Sequence, residues 1–198
     1  MAGTNVVNNL QLGDSSIPTR NFVWQTNNDG SAKLARGNVG ATTQDILTVD
    51  QNGRVAFPQS VVAFSAYRNT TQALPASTFT KLLINTEEFD TGSGFDTGTS
   101  RFQPTVAGYY QISGTASVAT SECTMIISIY KSTGGGAAVE AKRGVTVSNS
   151  AASTSVSALV YLNGSTDYVE LWLNIGVAQN ISSGAPFTYF QGILVAKA

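Results

Sequence analysis

Apolar and polar residues alternate along most of this chain, and short alternating runs are separated by residues that favour turns. Near the start, residues 21–26 run into Asn-Asn-Asp-Gly at 27–30 and return through residues 31–36. Residues 45–57 repeat the arrangement around Asn52-Gly53. Asp-Gly and Asn-Gly between alternating runs indicate β-hairpins, because glycine accepts the positive φ that a tight turn requires. The pattern predicts two hairpins here and no helix.

From residue 61 onward the apolar runs are longer and richer in aromatic residues, and glycine or asparagine separates them. Eight or more such strands are typical of a two-sheet sandwich. The last run is long and strongly apolar, so we expect it to lie in the middle of a sheet. The predicted strands of this part are residues 61–68, 78–84, 108–119, 124–131, 137–147, 155–162, 168–175 and 188–196.

The change in character falls near Pro58 and divides the chain into two predicted modules. Residues 1–58 form a small β-hairpin module, and residues 59–198 form the sandwich, so the predicted fold class is all-β. The first module has few large apolar residues, and isolated hairpins of that size are marginally stable at best. It therefore needs a second surface, either the neighbouring module or copies of itself.

Charge is sparse, because only 12% of the 198 residues are charged and the net charge is −1. With 42% hydrophobic residues, this composition favours rigid β surfaces and subunit contacts over disorder. The Lys and Arg residues are scattered, whereas nucleic-acid binding needs them clustered, so we expect no nucleic-acid partner. No uncharged apolar run approaches the roughly 20 residues of a membrane span, and the N-terminus lacks signal-peptide features. We expect cytoplasmic synthesis without membrane insertion.

The residues that most often carry catalysis are nearly absent. There is no histidine and one cysteine, which excludes Ser-His-Asp and Cys-His catalytic sets. The tripeptide Asp-Thr-Gly occurs at residues 90–92 and again at 96–98. Aspartic proteases use it in two symmetry-related loops whose carboxylates face each other, an arrangement that two copies in one loop cannot form. We predict two turns here and no enzymatic activity.

The same segment is acidic and offers a candidate cation site. Glu87, Glu88, Asp90 and Asp96 fall within ten residues, and Ca²⁺ prefers clustered oxygen ligands. A solvated acidic loop accounts for the same residues without a ligand. Calcium is the only cofactor that the sequence suggests.

Several segments of the second module resemble the globular head of complement component 1q, in the tumour-necrosis-factor-like superfamily. Ala-Phe-Ser-Ala-Tyr-Arg at 63–68 looks like the opening strand of that family. Ala-Gly-Tyr-Tyr-Gln-Ile at 107–112 is similar to its Pro-Gly-x-Tyr-x-Phe strand, with Ala107 in place of proline. Further similar segments lie, in the same order, at residues 95–104, 167–171 and 188–194.

The resemblance implies a jelly roll of about ten strands that forms tight trimers and binds a ligand. The residues themselves also favour association, because so many apolar strand positions with so little charge leave more β surface than one sandwich buries. A closed symmetric oligomer buries this surplus surface, and among such oligomers the resemblance favours a homotrimer. Tyr109, Tyr110 and Phe190, on strands similar to the axial strands of the family, are the candidates for the trimer axis.

The first module lacks the collagen stalk that is usual in that family and instead resembles modules of bacteriophage tail-fibre proteins. The resemblance rests on residues 12–13, 21–22, 29–31, 36–38 and 48–58. It implies a virion protein, assembled in the host cytoplasm, whose first module contacts other virion proteins and whose head binds a host-surface glycan or protein. A capsid or baseplate decoration protein and a secreted carbohydrate-binding module are the alternatives.

Overall fold

A computed structural model describes residues 9–13, 16–17, 21–39, 41–57, 62–118, 123–147 and 153–198. These residues form β-strands and loops without any helix, which confirms the all-β prediction. Among them there is accordingly no helix that could cross a membrane. The chain divides into two compact units between Val61 and Val62. We call the second unit the head.

The first unit contains one antiparallel sheet, the N-terminal sheet, whose five strands pair in chain order. Both predicted hairpins are present, and their turns place Gly30 at φ +86° and Gly53 at φ +77°. The sequence did not indicate the first strand, nor the pairing that joins the two hairpins into a single sheet. The strands are β1 (Asn9–Leu12), β2 (Phe22–Thr26), β3 (Ala32–Asn38), β4 (Ala41–Val49) and β5 (Val55–Ala56).

The head is a sandwich of two antiparallel sheets, as the jelly-roll prediction requires. The first sheet has the order β15-β12-β18-β6-β9, and the second has the order β10-β11-β16-β13-β14, with β8 also paired to β16. A small third pair joins β7 and β17. The strands are β6 (Ala63–Tyr67), β7 (Gln72–Leu74), β8 (Thr80–Lys81), β9 (Thr86–Asp90), β10 (Phe95–Asp96), β11 (Arg101–Phe102), β12 (Gly108–Ser117), β13 (Met125–Ser132), β14 (Val139–Val147), β15 (Ser153–Leu162), β16 (Tyr168–Ile175), β17 (Gln179–Ile181) and β18 (Tyr189–Lys197).

The strongly alternating runs became the long strands, and the final strand lies centrally, between β12 and β6, as predicted. The predicted strand at residues 78–84 is mostly loop, because only Thr80–Lys81 pair regularly with β16. Leu82 and Ile84 are nevertheless fully buried, so this segment contributes to the core without being a regular strand. The short strands β9, β10 and β11 were not predicted.

The core lies between the two sheets and is rich in aromatic side chains. The ring of Phe64 stacks on that of Phe102 with 4.2 Å between centroids, and it meets Phe190 edge-on at 5.2 Å. The sheets approach closely at Gly114, where an added Cβ would lie 2.6 Å from a methyl carbon of Leu171. Side chains at alternate positions of each strand therefore point into one shared interior, and the other positions face outward.

Candidate functional site

Four of the five strands of the first sheet are almost free of charge, and the edge strand β9 is acidic. The strands β6, β12, β15 and β18 contain one charged residue, Lys197, at the last position of β18. Serine, threonine and glutamine occupy many of the outward positions, as in the row Ser157, Ser113, Gln191 across three neighbouring strands. Such a surface is polar enough to fold in water but offers no ionic barrier to another protein surface.

Six large apolar side chains project from this side of the sheet, and we call them the apolar face. Their exposed fractions lie between 41% and 62%. The register sets Tyr109 opposite Tyr161 and Gln111 between Leu159 and Ile193, so these side chains adjoin one another across the strands. The rings of Tyr109 and Tyr161 are 5.5 Å apart. The six residues are Phe89, Tyr109, Leu159, Tyr161, Ile193 and Val195.

The apolar face is not uniform from one edge to the other. Towards β9 the small side chains of Ala63 and Ser65 leave a shallow groove of about 260 Å³ between Phe89 and Ile193. Towards β15 the large side chains of Leu159 and Tyr161 stand out instead. One end of the face therefore presents projecting side chains and the other end presents a depression.

The structure separates the three residues predicted for a trimer axis. Tyr109 is exposed on the apolar face, whereas Tyr110 and Phe190 are fully buried in the core of the chain itself. The Tyr110 hydroxyl donates to the Val106 carbonyl oxygen at 2.7 Å, and burial raises the pKa of Tyr110 to about 12. Tyr110 and Phe190 are therefore out of reach of a partner, which corrects the placement inferred from the sequence for these two residues.

The outward side of the second sheet, which we call the charged face, is built around the carboxylate of Glu170. This side chain is only 3% exposed, and its Oε1 accepts from Arg101 Nε at 2.7 Å and from Lys81 Nζ at 3.2 Å. Its Oε2 accepts from Trp172 Nε1 at 2.8 Å. The Glu170 hydrogen bond raises the pKa of Arg101. The Glu170 carboxylate therefore pairs, within the chain, with both cations and with the indole N–H.

The rest of the charged face is similarly self-contained. Glu140 accepts two hydrogen bonds from Arg143, at 2.7 and 2.6 Å, and these hold the pKa of Glu140 below its usual range. The Trp172 ring stacks on Tyr130 at 4.5 Å. Aromatic rings that already stack on one another within the chain present little free ring surface to a sugar.

The structure does not gather the four acidic residues suggested for calcium. Asp90 accepts from the backbone N–H groups of Gly92 and Phe95, at 3.1 and 2.7 Å. Asp96 accepts from Thr99 Oγ1 at 2.7 Å and from the Gly98 N–H at 2.8 Å, and these bonds lower the pKa of Asp96. Within the described residues there is no group of three or more His, Cys, Asp or Glu side chains that could hold a metal. The calcium hypothesis gains no support from this geometry.

The remaining acidic residues lie on the edge strand β9. Glu88 accepts from the hydroxyl of Ser65 at 2.6 Å, at the border of the apolar face, and Glu87 is exposed. Both Asp-Thr-Gly sequences form turns, in which each aspartate binds its own loop. The carboxylates of Asp90 and Asp96 therefore each accept hydrogen bonds within a separate turn.

Five of the six residues of the apolar face were not predicted from the sequence. A signal for them was present, because the ends of β15 and β18 carry apolar residues at both alternating positions. On β15, Val160 and Leu162 point inward, whereas Leu159 and Tyr161, which alternate with them, point outward. Two apolar faces on one strand indicate a strand covered on both sides.

Comparison with known proteins bears on the fold of the head. No protein-family model matches the chain, and no curated protein is similar to it in sequence. Among solved structures, the globular domain of zebrafish complement 1qA is 18% identical with a TM-score of 0.52, over 69% of this chain and 98% of that one. Murine APRIL is 13% identical with a TM-score of 0.55, over 69% and 100%. The Eiger TNF of S. frugiperda is 11% identical with a TM-score of 0.57, over 71% and 96%.

These similarities define the class of structure to which the head belongs. It has the jelly-roll fold of the complement 1q globular domain and of the TNF-like proteins, which confirms the fold that the sequence resemblance implied. At such low identities the comparison speaks for the fold alone. What the chain does must be argued from its own surfaces.

Proposed function

We propose that this chain is a structural protein of a tailed-bacteriophage virion, a homotrimeric fibre or knob whose head binds a receptor on the host surface. The observation that carries the trimer is the apolar face of the head. At the exposures observed, its six side chains present on the order of 500 Å² of apolar surface, the size of patch that commonly marks an interaction site. Most of its surround is uncharged, with Glu88 and Lys197 at its border, and this lowers the cost of desolvating ions on association.

The unevenness of the apolar face supports a closed ring of chains rather than a two-fold symmetric dimer. Projecting side chains at the β15 edge and the groove beside Phe89 are unlike surfaces, so the contact that joins them is head-to-tail. Head-to-tail contacts close into rings when the rotation between copies allows it. The jelly-roll class to which the head is similar favours three copies.

Binding rather than catalysis is supported by how the polar groups are used. Glu170, Glu140, Asp90 and Asp96 each have partners within the chain that employ their carboxylates structurally. The virion assignment rests on the resemblance of the first unit to tail-fibre modules. In this proposal that unit joins the head to other virion proteins.

Multi-angle light scattering on the purified chain tests the association. We expect about three times the 20.7 kDa chain mass, unchanged on dilution through the micromolar range. A monomer would overturn the trimer and, with it, the fibre.

Competition for host cells tests the receptor role. An excess of the purified trimer should reduce adsorption of the phage to its host, and gold-labelled antibody should decorate the distal ends of fibres in micrographs. Label spread over the capsid or baseplate, with no competition, would favour the decoration protein instead. Binding to glycans without any virion label would favour the carbohydrate-binding module.

A further inference from the structure

The N-terminal sheet carries a second apolar surface, on one side only. The register places Leu10, Trp24, Leu34 and Leu47 side by side across four strands. Leu12 and Phe22 form a parallel row, and Val49 lies opposite Val55. Leu10, Leu12, Phe22, Trp24 and Val55 are 37% to 60% exposed. We call these eight residues the N-terminal apolar face.

On the other side of the same sheet, Val23 and Ala35 are fully buried, and polar residues lie beside them. Gln25 lies opposite Lys33, and Lys33 forms an ion pair with Asp45 at 2.9 Å. A groove of about 680 Å³ that is open to solvent includes these three side chains in its lining. The exposed leucine, phenylalanine and tryptophan side chains of its strands therefore lie on one side, and the other side combines paired polar groups with the buried residues Val23 and Ala35.

An amphipathic sheet needs a second layer over its apolar side. Within the described part of residues 9–57, every strand belongs to this one sheet, so these described residues do not supply that layer. The five exposed side chains present on the order of 400 Å² of apolar surface per copy. That is about half of the roughly 800 Å² per partner of a specific interface, and the partly buried Leu34, Leu47 and Val49 add to it.

We propose that the N-terminal apolar faces of the three chains in a trimer pack against one another and enclose a common apolar interior. The inference rests on the trimer proposed above. Identical faces are compatible here because none of the eight residues is charged, and the cation Arg36, which borders them, lies over the Phe22 ring at 5.7 Å. Three sheets tethered to one trimeric head also meet at high effective concentration, which favours association within the trimer.

Cysteine cross-linking of the full chain tests this packing. Leu34→Cys and, separately, Leu47→Cys place a thiol on the N-terminal apolar face, and Gln25→Cys places one on the polar side as the matched control. The native Cys123 is buried, and the unmodified chain controls for it. After treatment with a short bismaleimide, we expect denaturing gels to show chains joined in pairs for the two leucine variants, since each chain offers one accessible thiol. Gln25→Cys and the unmodified chain should stay single.

Fluorescence of Trp24 provides a readout without a new thiol. The difference between the spectra of the wild type and Trp24→Phe isolates this residue from Trp172. We expect a blue-shifted emission that iodide does not quench, because three apposed sheets exclude water from Trp24. Light scattering on each sample reports whether the trimer is present.

The outcomes separate the two proposals. A trimer with cross-linked leucine variants and a protected Trp24 supports the packing. A trimer with no cross-links and a quenchable Trp24 overturns it and leaves the head trimer standing. A protected Trp24 without cross-links also overturns it, since the face is then covered by another part of the same chain. Monomers overturn both proposals.

Discussion

The two outward sides of the head differ in how far a single chain can satisfy them. On the charged face, Glu170 is buried under two cations and an indole N–H, and Arg143 neutralises Glu140. On the apolar face, Leu159 and Ile193 remain about half exposed, and no described strand forms a further layer over them. The comparison shows that polarity alone does not identify a binding surface. What matters is whether the exposed groups already have partners within the chain.

The largest expected effect comes from placing a charge on the apolar face. Ile193→Glu should convert the trimer to monomers, because each contact would bury an unpaired carboxylate at a cost of several kcal/mol. Light scattering measures the change in mass. Val139→Glu is the matched control, since Val139 is also a large exposed apolar residue, at 66% against 45% for Ile193, but lies on β14, in the other sheet. A trimer that survives Ile193→Glu would place the interface elsewhere on the head.

The next effect tests the charged face as a self-contained network. Glu170→Gln leaves Lys81 and Arg101 without their carboxylate. Because both cations are partly exposed, we expect a loss of about 2–3 kcal/mol, somewhat less than breaking a fully buried pair. Denaturant unfolding of the head measures it, and the trimer should persist. Glu140→Gln, at an exposed pair, should cost no more than about 1 kcal/mol. Equal losses in the two variants would contradict the distinction between them.

Acid should act through the second sheet. Burial would raise the pKa of Asp167, but hydrogen bonds from the Gly134 N–H and Lys131 outweigh it, so the pKa in the folded chain is lowered. Its stabilisation is therefore present above the unfolded pKa of about 3.9 and is lost as the pH falls through the lower folded value. Asp167→Asn should reduce stability by about 1–2 kcal/mol at pH 7 and flatten the acid limb of a thermal-unfolding series. If the acid limb of Asp167→Asn is as steep as that of the wild type, the loss of stability in acid comes from other groups.

Alkaline pH should act through the first sheet, by the smallest of these effects. The pKa of Tyr110 is raised to about 12, above its unfolded value of about 10, so its contribution is complete below pH ~10 and is lost as the pH rises through about 12. Tyr110→Phe removes the hydrogen bond to Val106 at a cost of about 1 kcal/mol near neutrality. It should also reduce the alkaline loss of stability between pH 10 and 12. Tyr109→Phe, at an exposed position, should leave the stability near neutrality and the alkaline loss of stability unchanged.

Much of the fold was predictable because long strands carry their own signal. The strands β12, β13, β15, β16 and β18 are each eight or more residues long, and each was predicted close to its actual bounds. The strands β10 and β11 are two residues long and exist only through pairing with each other and, for β11, with β16. A pattern that short contains no period, so only the tertiary structure reveals it.

The candidate site was less predictable than the fold. Tyr109 and Tyr110 are identical neighbours on one strand, so one of them had to face inward, and nothing local says which. A register shift in the pairing with β18 falls between these two residues. The prediction placed both on a common axis with Phe190, whereas the packing of Phe64 and Phe102 draws Tyr110 and Phe190 into the core.

By itself, the sequence determined the features that depend on neighbours along the chain. These are the glycine turns at Gly30 and Gly53, the alternation of the long strands, and the near absence of charge from β6, β12, β15 and β18 of the first sheet. Tertiary structure alone decided which apolar side of each sheet is buried and which is left outward. The reason is physical: a strand has two equivalent faces, and only pairing and packing with distant strands choose between them. That choice exposes Leu159 and Ile193 on the head, and Trp24 on the N-terminal sheet.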